Sequence, residues 1–336
     1  MKMKKITIDD IARQVGVSKA TVSRVINNKK YVDSETKKKI MAVIEETGFT
    51  PQTSAVKLSM GKTDVIGLLV PSLSNPYSLT VIQGVAEQIA QCNYELMLYT
   101  TGLSEENQKK FLQKISHKNV DGLVVLLPRD SSALEVLLSS TDIPLVLIDH
   151  RGIDTHLHTV SVTNEKGGFD ATEYLISLGH ERIGFITGVM EFGCSKDRLD
   201  GYTKALEAHH IDVDQELIVN GDFTESSGFN AMCALLQHPK PPTSVFCSND
   251  DMAIGAIRAI QHSGLRVPED ISVIGFDDTV RASMAYPSLT TIKQPLLTMG
   301  ATAANLVRRL IDKEAVEPTN VVLNTELIIR NSCASR

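Results

Sequence analysis

Two groups of side chains have the type and spacing for recognition chemistry. The first is a short run near the N-terminus, in which Lys19, Ala20, Thr21, Ser23, Arg24 and Asn27 alternate with Val22, Val25 and Ile26. Wound as a helix, the apolar members face inward and the polar or small ones outward. An outward arginine can grip a guanine through two hydrogen bonds, hydroxyls can reach phosphate or base edges, and an alanine can meet a thymine methyl. The second group consists of polar residues just after apolar strand patterns: Asn75, Asp149 with Arg151, Asn249 with Asp250, and Asp277. Carboxylates and amides there suit a hydroxyl-rich ligand, and arginine adds forked donors. Tyr77 and Phe223 can present flat faces to a sugar ring. A single Asp or Asn in such a place equally suits a helix cap, but the whole set is poorly explained that way.

Positioning the first group takes a small helical head. Thr7 and Asp10 have capping-box spacing, followed by Ile8, Ile11, Ala12 and Val15 on one face, with Gly16 as a left-handed stop. Ser18 can cap the second helix. Val32 and the Asp33-Ser34 pair open a third, with Ile40, Val43 and Ile44 inside and Gly48 closing it. Two short helices joined through a glycine make a helix-turn-helix. Pro51 can start a further helix over 51–60, too short to be stable alone.

Charge divides the chain in the same place. The whole carries −6, yet residues 1–60 hold 12 Lys and Arg against 6 Asp and Glu, a net +6, leaving −12 on the rest. A basic head on an acidic body points to a polyanion partner for the head alone.

The second group needs a larger frame. From Val65 onward, strand patterns at Val65–Pro71, Tyr94–Tyr99, Gly122–Leu127, Leu145–Asp149, Ile183–Thr187, Ser244–Cys247 and Ile271–Phe276 are separated by helical patterns at Tyr77–Gln91, Glu105–His117, Glu165–Leu178, Arg198–His209, Ser226–Leu236 and Asp250–Ser263. Such alternation predicts parallel sheets covered on both faces. There are too many units for one core, so two doubly wound lobes are expected, with ligands bound outside the carboxyl ends of the strands.

Several function classes recede. The 336 residues, 42% hydrophobic and 22% charged, contain no run of roughly 18 apolar residues. Asp9 and Asp10 stand where a secretory signal would be apolar. Five scattered cysteines without a C-x-x-C pair read as reduced thiols. A cytoplasmic protein off the membrane is expected, with no metal and no cofactor. No phosphate-loop, zinc-protease or nucleophile-elbow motif recommends an enzyme.

The residues Thr7-Ile8-Asp9-Asp10-Ile11-Ala12 and Gly16-Val17-Ser18-Lys19-Ala20-Thr21-Val22-Ser23-Arg24-Val25-Ile26-Asn27 resemble the head of the LacI/GalR family of ligand-responsive transcriptional regulators. Asn164-Glu165-Lys166-Gly167-Gly168, Arg198-Leu199-Asp200-Gly201-Tyr202, Ser248-Asn249-Asp250-Asp251-Met252 and Val273-Ile274-Gly275-Phe276-Asp277-Asp278 extend the resemblance along the chain. It implies a repressor without enzymatic activity: a homodimer on pseudo-palindromic operator DNA, controlled by a sugar or sugar acid held in a two-lobed body like a periplasmic binding protein. The implied domains are a head at 1–50, a hinge at 51–62 and a body at 63–336. The first lobe is then about 63–161 plus 293–320, the second about 162–292 plus 321–336, with crossings near Val160–Val162, Thr290–Gln294 and Asn320–Leu323.

By position the resemblance assigns the effector to Asp149, Arg198, Phe223, Asn249 and Asp277, with Tyr77, Arg151 and Phe192 as further candidates. DNA contacts fall to Thr7, Ser18, Lys19, Ala20, Thr21, Ser23, Arg24, Asn27 and Lys57, with Leu58 as a minor-groove wedge. Gln52 and Val56 depart from the family's usual Asn and Arg, which removes one expected DNA contact, and Thr163 stands where an aspartate often precedes the asparagine. Two other classes share the body's outline. A transport receptor would lack the basic head, and an enzyme would need a catalytic constellation.

Overall fold

The computed structural model describes residues 6–26, 32–49, 62–102, 104–115, 117, 119–151, 157–314, 317 and 319–336. Asn27, Lys57, Leu58 and the 51–60 segment lie outside them. The chain divides into two compact units, 1–62 and 63–336.

In the first unit, α1 (Ile8–Val15), α2 (Lys19–Ile26) and α3 (Ser34–Thr47) enclose a core of Ile11, Ala12, Val22, Val25 and Ile40. The caps follow from local chemistry. The Thr7 hydroxyl accepts from the Asp10 amide (3.3 Å) while the Asp10 carboxylate accepts from the Thr7 amide (3.0 Å). Gly16 turns left-handed at φ 77° and frees the chain for α2. Ser18 Oγ accepts from the Thr21 amide (3.1 Å), and Asp33 caps α3 through the Thr36 amide (2.9 Å).

The second unit carries two six-stranded sheets. The first is built from β1 (Val65–Val70), β2 (Glu95–Thr100), β3 (Gly122–Leu126), β4 (Leu145–Ile148), β5 (His158–Val162) and β11 (Asn320–Leu323), in the order β11-β5-β4-β3-β1-β2. The second takes β6 (Ile183–Thr187), β7 (Ile218–Asn220), β8 (Ser244–Cys247), β9 (Ser272–Asp277), β10 (Thr290–Lys293) and β12 (Glu326–Ile328), ordered β12-β10-β9-β8-β6-β7. All pairings are parallel except β10 with β12. Strand order reverses between β1 and β3 and between β6 and β8, which opens a crevice at the strand ends of each sheet.

The helices are α4 (Pro76–Ala90), α5 (Glu105–Lys114), α6 (Ser132–Ser139), α7 (Asn164–Ser177), α8 (Gly193–Ala208), α9 (Glu225–Leu236), α10 (Asp250–His262), α11 (Val280–Met284) and α12 (Leu296–Ile311). The expected pairs of strand and helix are present within a few residues. The residue pattern does not mark α6, α11, α12 or the short strands β5, β7, β10, β11 and β12.

The chain leaves the first sheet after β5, returns through α12 after β10, and leaves again after β11. Three expected lobe boundaries therefore move: Val162 ends β5 of the first sheet, where it pairs with Leu323. Lys293 belongs to the second sheet, paired with Asp277, and residues 321–323 belong to the first, where Val321 pairs with Val160.

Glycines allow one packing that matters for function. A Cβ on Gly201 of α8 would lie 2.1 Å from the Glu165 carbonyl oxygen of α7, and one on Gly168 would lie 2.5 Å from the Arg198 carbonyl oxygen. Only bare backbone lets α7 and α8 approach so closely, and this closeness brings Asn164 and Arg198 together.

Candidate functional site

Asp149 follows β4 and Tyr77 sits in the first turn of α4, both on the first sheet's side. The Tyr77 hydroxyl donates to Asp149 Oδ2 at 2.5 Å. Burial and the facing carboxylate push the Tyr77 phenol well above its ordinary value, so it remains the donor. Asn164 Nδ2 donates to the other Asp149 oxygen at 3.3 Å. Asn164 Oδ1 in turn accepts from Arg198 Nε (3.0 Å) and Nη2 (2.9 Å), while Arg198 Nη1 donates to the Ser248 carbonyl (2.6 Å). The guanidinium lies 3.7 Å from the centre of the Phe276 ring, and its Nη1 is 3.8 Å from Asp277 Oδ1. Gln294 Nε2 donates to that same Asp277 oxygen at 2.6 Å. One buried polar chain thus runs from the first sheet to the second.

The chain borders a cavity at the carboxyl ends of the strands. Its outer chamber, about 390 Å3, is lined by the Pro71–Asn75 turn, Ser78, Leu127, Phe192, Phe223 and the polar residues Asp222, Thr224, Glu225 and Asp251. An inner recess of about 20 Å3 is bounded by Asn75, Tyr77, Leu127, Asp149, Cys194, Arg198, Phe223, Asn249 and Asp277. The two share Asn75, Leu127 and Phe223, and the Phe192 and Phe223 rings stand 6.3 Å apart. Leu127, Asp149, Phe223 and Asp277 all hold positive φ (48°, 56°, 68° and 114°). Such backbone costs about 1–3 kcal/mol per residue and gathers where a site imposes it.

Tyr77, Asp149, Arg198, Phe223, Asn249 and Asp277 are therefore brought together, with Phe192 on the outer wall. Arg151 is not. It pairs with Asp197 (2.9 Å) and Asp200 (2.7 Å) on α8 and lines neither chamber. Asn249 has two tasks besides facing the recess: Oδ1 caps α10 at the Met252 amide (2.9 Å), and Nδ2 donates to the Phe223 carbonyl (3.0 Å). Leu127, Asp222 and the Ser72–Ser74 turn line the cavity without having been expected to, whereas Asn164 lines neither chamber and links Asp149 to Arg198. Asn164 was visible in its motif but discounted because Thr163 precedes it.

Burial raises the pKa of Asp149 despite Arg198, Tyr77 and Asn164. It pushes Asp250 up to about 7 and lifts Asp277 well above its usual value of 3.8. A carboxyl raised in the folded state binds more protons there than in the unfolded chain, so stability falls as pH rises above the ordinary carboxylate range toward neutrality. Asp277→Asn is expected to flatten the decline of melting temperature between pH 5 and 7 in ligand-free protein. Thermal unfolding across that range checks it, and an unchanged slope contradicts it.

On the head, Lys19, Ala20 and Arg24 are exposed, and Thr21 and Ser23 half-buried. Lys19 Nζ lies 3.0 Å from Asp9. Thr7 and Ser18 are engaged as caps, and the Ser18 and Thr21 hydroxyls are 2.8 Å apart. Arg24 has no ion-pair partner among the described residues. No group of three or more His, Cys, Asp or Glu side chains fit to hold a metal occurs among the described residues, and no helix there is long and apolar enough to cross a membrane.

Comparison with known proteins agrees with this division. Residues 7–52 match the family of bacterial regulatory proteins called lacI, and residues 172–333 match a periplasmic binding protein-like domain. A probable transcriptional repressor of the helix-turn-helix type, ExuR of Bacillus subtilis (strain 168), is 38% identical over 333 residues, covering 97% of this chain and 98% of its own. The chain belongs to the lacI family. The repressor PurR of Pasteurella multocida (strain Pm70) is 37% identical, covering 98% and 99%. Among solved structures, the Lac repressor dimer bound to operator and the anti-inducer ONPF superposes with a TM-score of 0.88 at 30% identity, covering 99% of this chain and all of that one. The regulator CelR in complex with cellobiose gives 0.76 at 32% identity, covering 97% and 99%. This lacI-family chain is a transcriptional repressor and not an enzyme.

Proposed function

We propose that the repressor acts as a cytoplasmic homodimer on a pseudo-palindromic operator, and that a sugar-like effector held between the body's two lobes controls it through the 51–62 segment. The observation that carries this reading is the buried chain Tyr77–Asp149–Asn164–Arg198–Asp277, with members on both sheets and a cavity beside it. A ligand bonded to both ends of that chain favours one arrangement of the lobes over another. It can shift DNA binding only by its difference in affinity between arrangements. The cellobiose complex of CelR and the operator complex of the Lac repressor support the same division of labour. Leu58 is assigned to the minor groove by family resemblance, where a wedging leucine bends the duplex.

Purified protein is expected to bind its operator with steep salt dependence, because each phosphate contact releases counterions. A sugar that raises its melting temperature is expected to bind with different affinity in the presence and absence of operator, since coupling is reciprocal. Calorimetry on both forms is the measurement. Equal affinities would refute control by that ligand.

A further inference from the structure

We propose that the cavity selects an uncharged, polyhydroxylated ligand and rejects the matching sugar acid or sugar phosphate. The inference deepens the effector reading above and rests on it. The argument is a balance of charge. The outer chamber is lined by Asp222, Glu225 and Asp251 and by no cation among the described residues. In the recess Arg198 stands between Asp149 and Asp277, so its guanidinium is already engaged.

Each cation near the cavity is matched already. Arg198 spends three N–H bonds on Asn164 and Ser248 and keeps others for a hydroxyl, but two buried carboxylates face its charge. Arg129 lies behind Phe192, 5.5 Å from that ring's centre, and pairs with Glu191 at 3.3 Å. Arg281 bonds Glu225 (2.5 Å) and Asp251, and Arg258 bonds Glu225. Asp222 has no such partner among the described residues. Its carboxylate accepts from the Thr224 amide (2.9 Å) and hydroxyl (2.5 Å), bonds that hold it ionised.

Helix N-termini at the strand ends would ordinarily welcome an anion. Here the chain's own side chains take that role. Asn75 Oδ1 accepts from the Tyr77 amide (2.8 Å), the Thr224 hydroxyl from the Ser227 amide (3.2 Å), and Asn249 from Met252. Glu225 and Asp251 add acidic side chains to the first turns of α9 and α10. A carboxylate or phosphate entering the outer chamber would meet the Asp222 carboxylate and find neither an unmatched cation among the described residues nor an uncapped N-terminus on α4, α9 or α10 to offset it. A sugar hydroxyl would instead donate to Asp222, Asp149 or Asp277 while its ring packs against Phe192 or Phe223.

The test is calorimetry with matched pairs at fixed ionic strength: glucose with glucuronate and glucose 6-phosphate, galactose with galacturonate, and cellobiose with cellobionate. A neutral member should bind, its charged counterpart should bind at least about tenfold more weakly, and Asp222→Asn should narrow that gap. A charged member that binds as tightly as its neutral counterpart, or more tightly, overturns the proposal. So does a gap that Asp222→Asn leaves unchanged. Binding of no member also overturns it, while selective operator binding by the same preparation would leave the repressor reading intact.

Discussion

Arg198→Ala is expected to remove the response to effector and to lower the stability of the body by about 3–5 kcal/mol, the usual cost of stripping one partner from a buried charged group. The guanidinium is the only cation bordering the recess among the described residues. It joins Asn164, Ser248 and Asp277, and its field opposes the desolvation of Asp149 and Asp277. Without it Asn164 Oδ1 loses both donors, and the two carboxylates are held without compensation. Ligand affinity should fall by about 1–3 kcal/mol or more, roughly five- to 150-fold, because hydroxyls that met the fork are left unpaired. Arg198→Lys keeps the charge but not the fork and should recover part of the stability and less of the affinity. The head has its own core and should still read DNA. Chemical denaturation, calorimetry and gel shifts separate the three effects. Undiminished ligand affinity in both Arg198→Ala and Asp277→Ala would mean that the pocket lies elsewhere.

What the residue pattern revealed, and what it hid, follows from how each side chain is aimed. Asp149 and Asp277 were legible because a polar residue directly after a buried strand has one natural destination, the crevice. Arg151 stands two residues past Asp149 and looked equivalent. Whether it enters the crevice depends on Asp197 and Asp200, remote in sequence and one helical turn apart on α8, which hold it outside. Asn164 reads as an ordinary helix start, and only the close approach of α7 and α8 across Gly168 and Gly201 makes it the link between Asp149 and Arg198. Helix α12 was overlooked although Leu296, Met299, Gly300, Ala303 and Val307 recur at helical spacing and are buried. The small residues that weaken its apolar signal are those that contact matters for: a Cβ on Gly300 would lie 2.2 Å from the Val81 carbonyl oxygen of α4. Strands β11 and β12 are too short to show a period, and their places come from pairing with β5 and β10.

We propose that the head's reading of DNA rests most heavily on Arg24. It lies on the exposed side of α2, while Val22 and Val25 of the same helix are buried against Ile11 and Ile40. The neighbouring polar groups are partly occupied within the head. Ser18 caps α2, Thr21 bonds Ser18, and Lys19 leans toward Asp9. That exposed Lys19 pair is weak and can be exchanged for phosphate. Arg24 gives up no ion pair within the described residues when it binds, so its full fork is available to a base edge. Arg24→Ala is expected to cost about 1–3 kcal/mol at the operator, a loss of roughly five- to 150-fold, and to relax preference at one base position. Lys19→Ala should instead weaken binding to all sequences alike and lower the salt slope by about one. Since Val22, Val25 and the caps are untouched, neither change should disturb the fold of the head, which circular dichroism can verify. Gel shifts against a library of single-base operator variants, repeated over a range of salt, distinguish the two roles. If Arg24→Ala retained both wild-type affinity and wild-type base preference, α2 would not be the helix that reads the major groove.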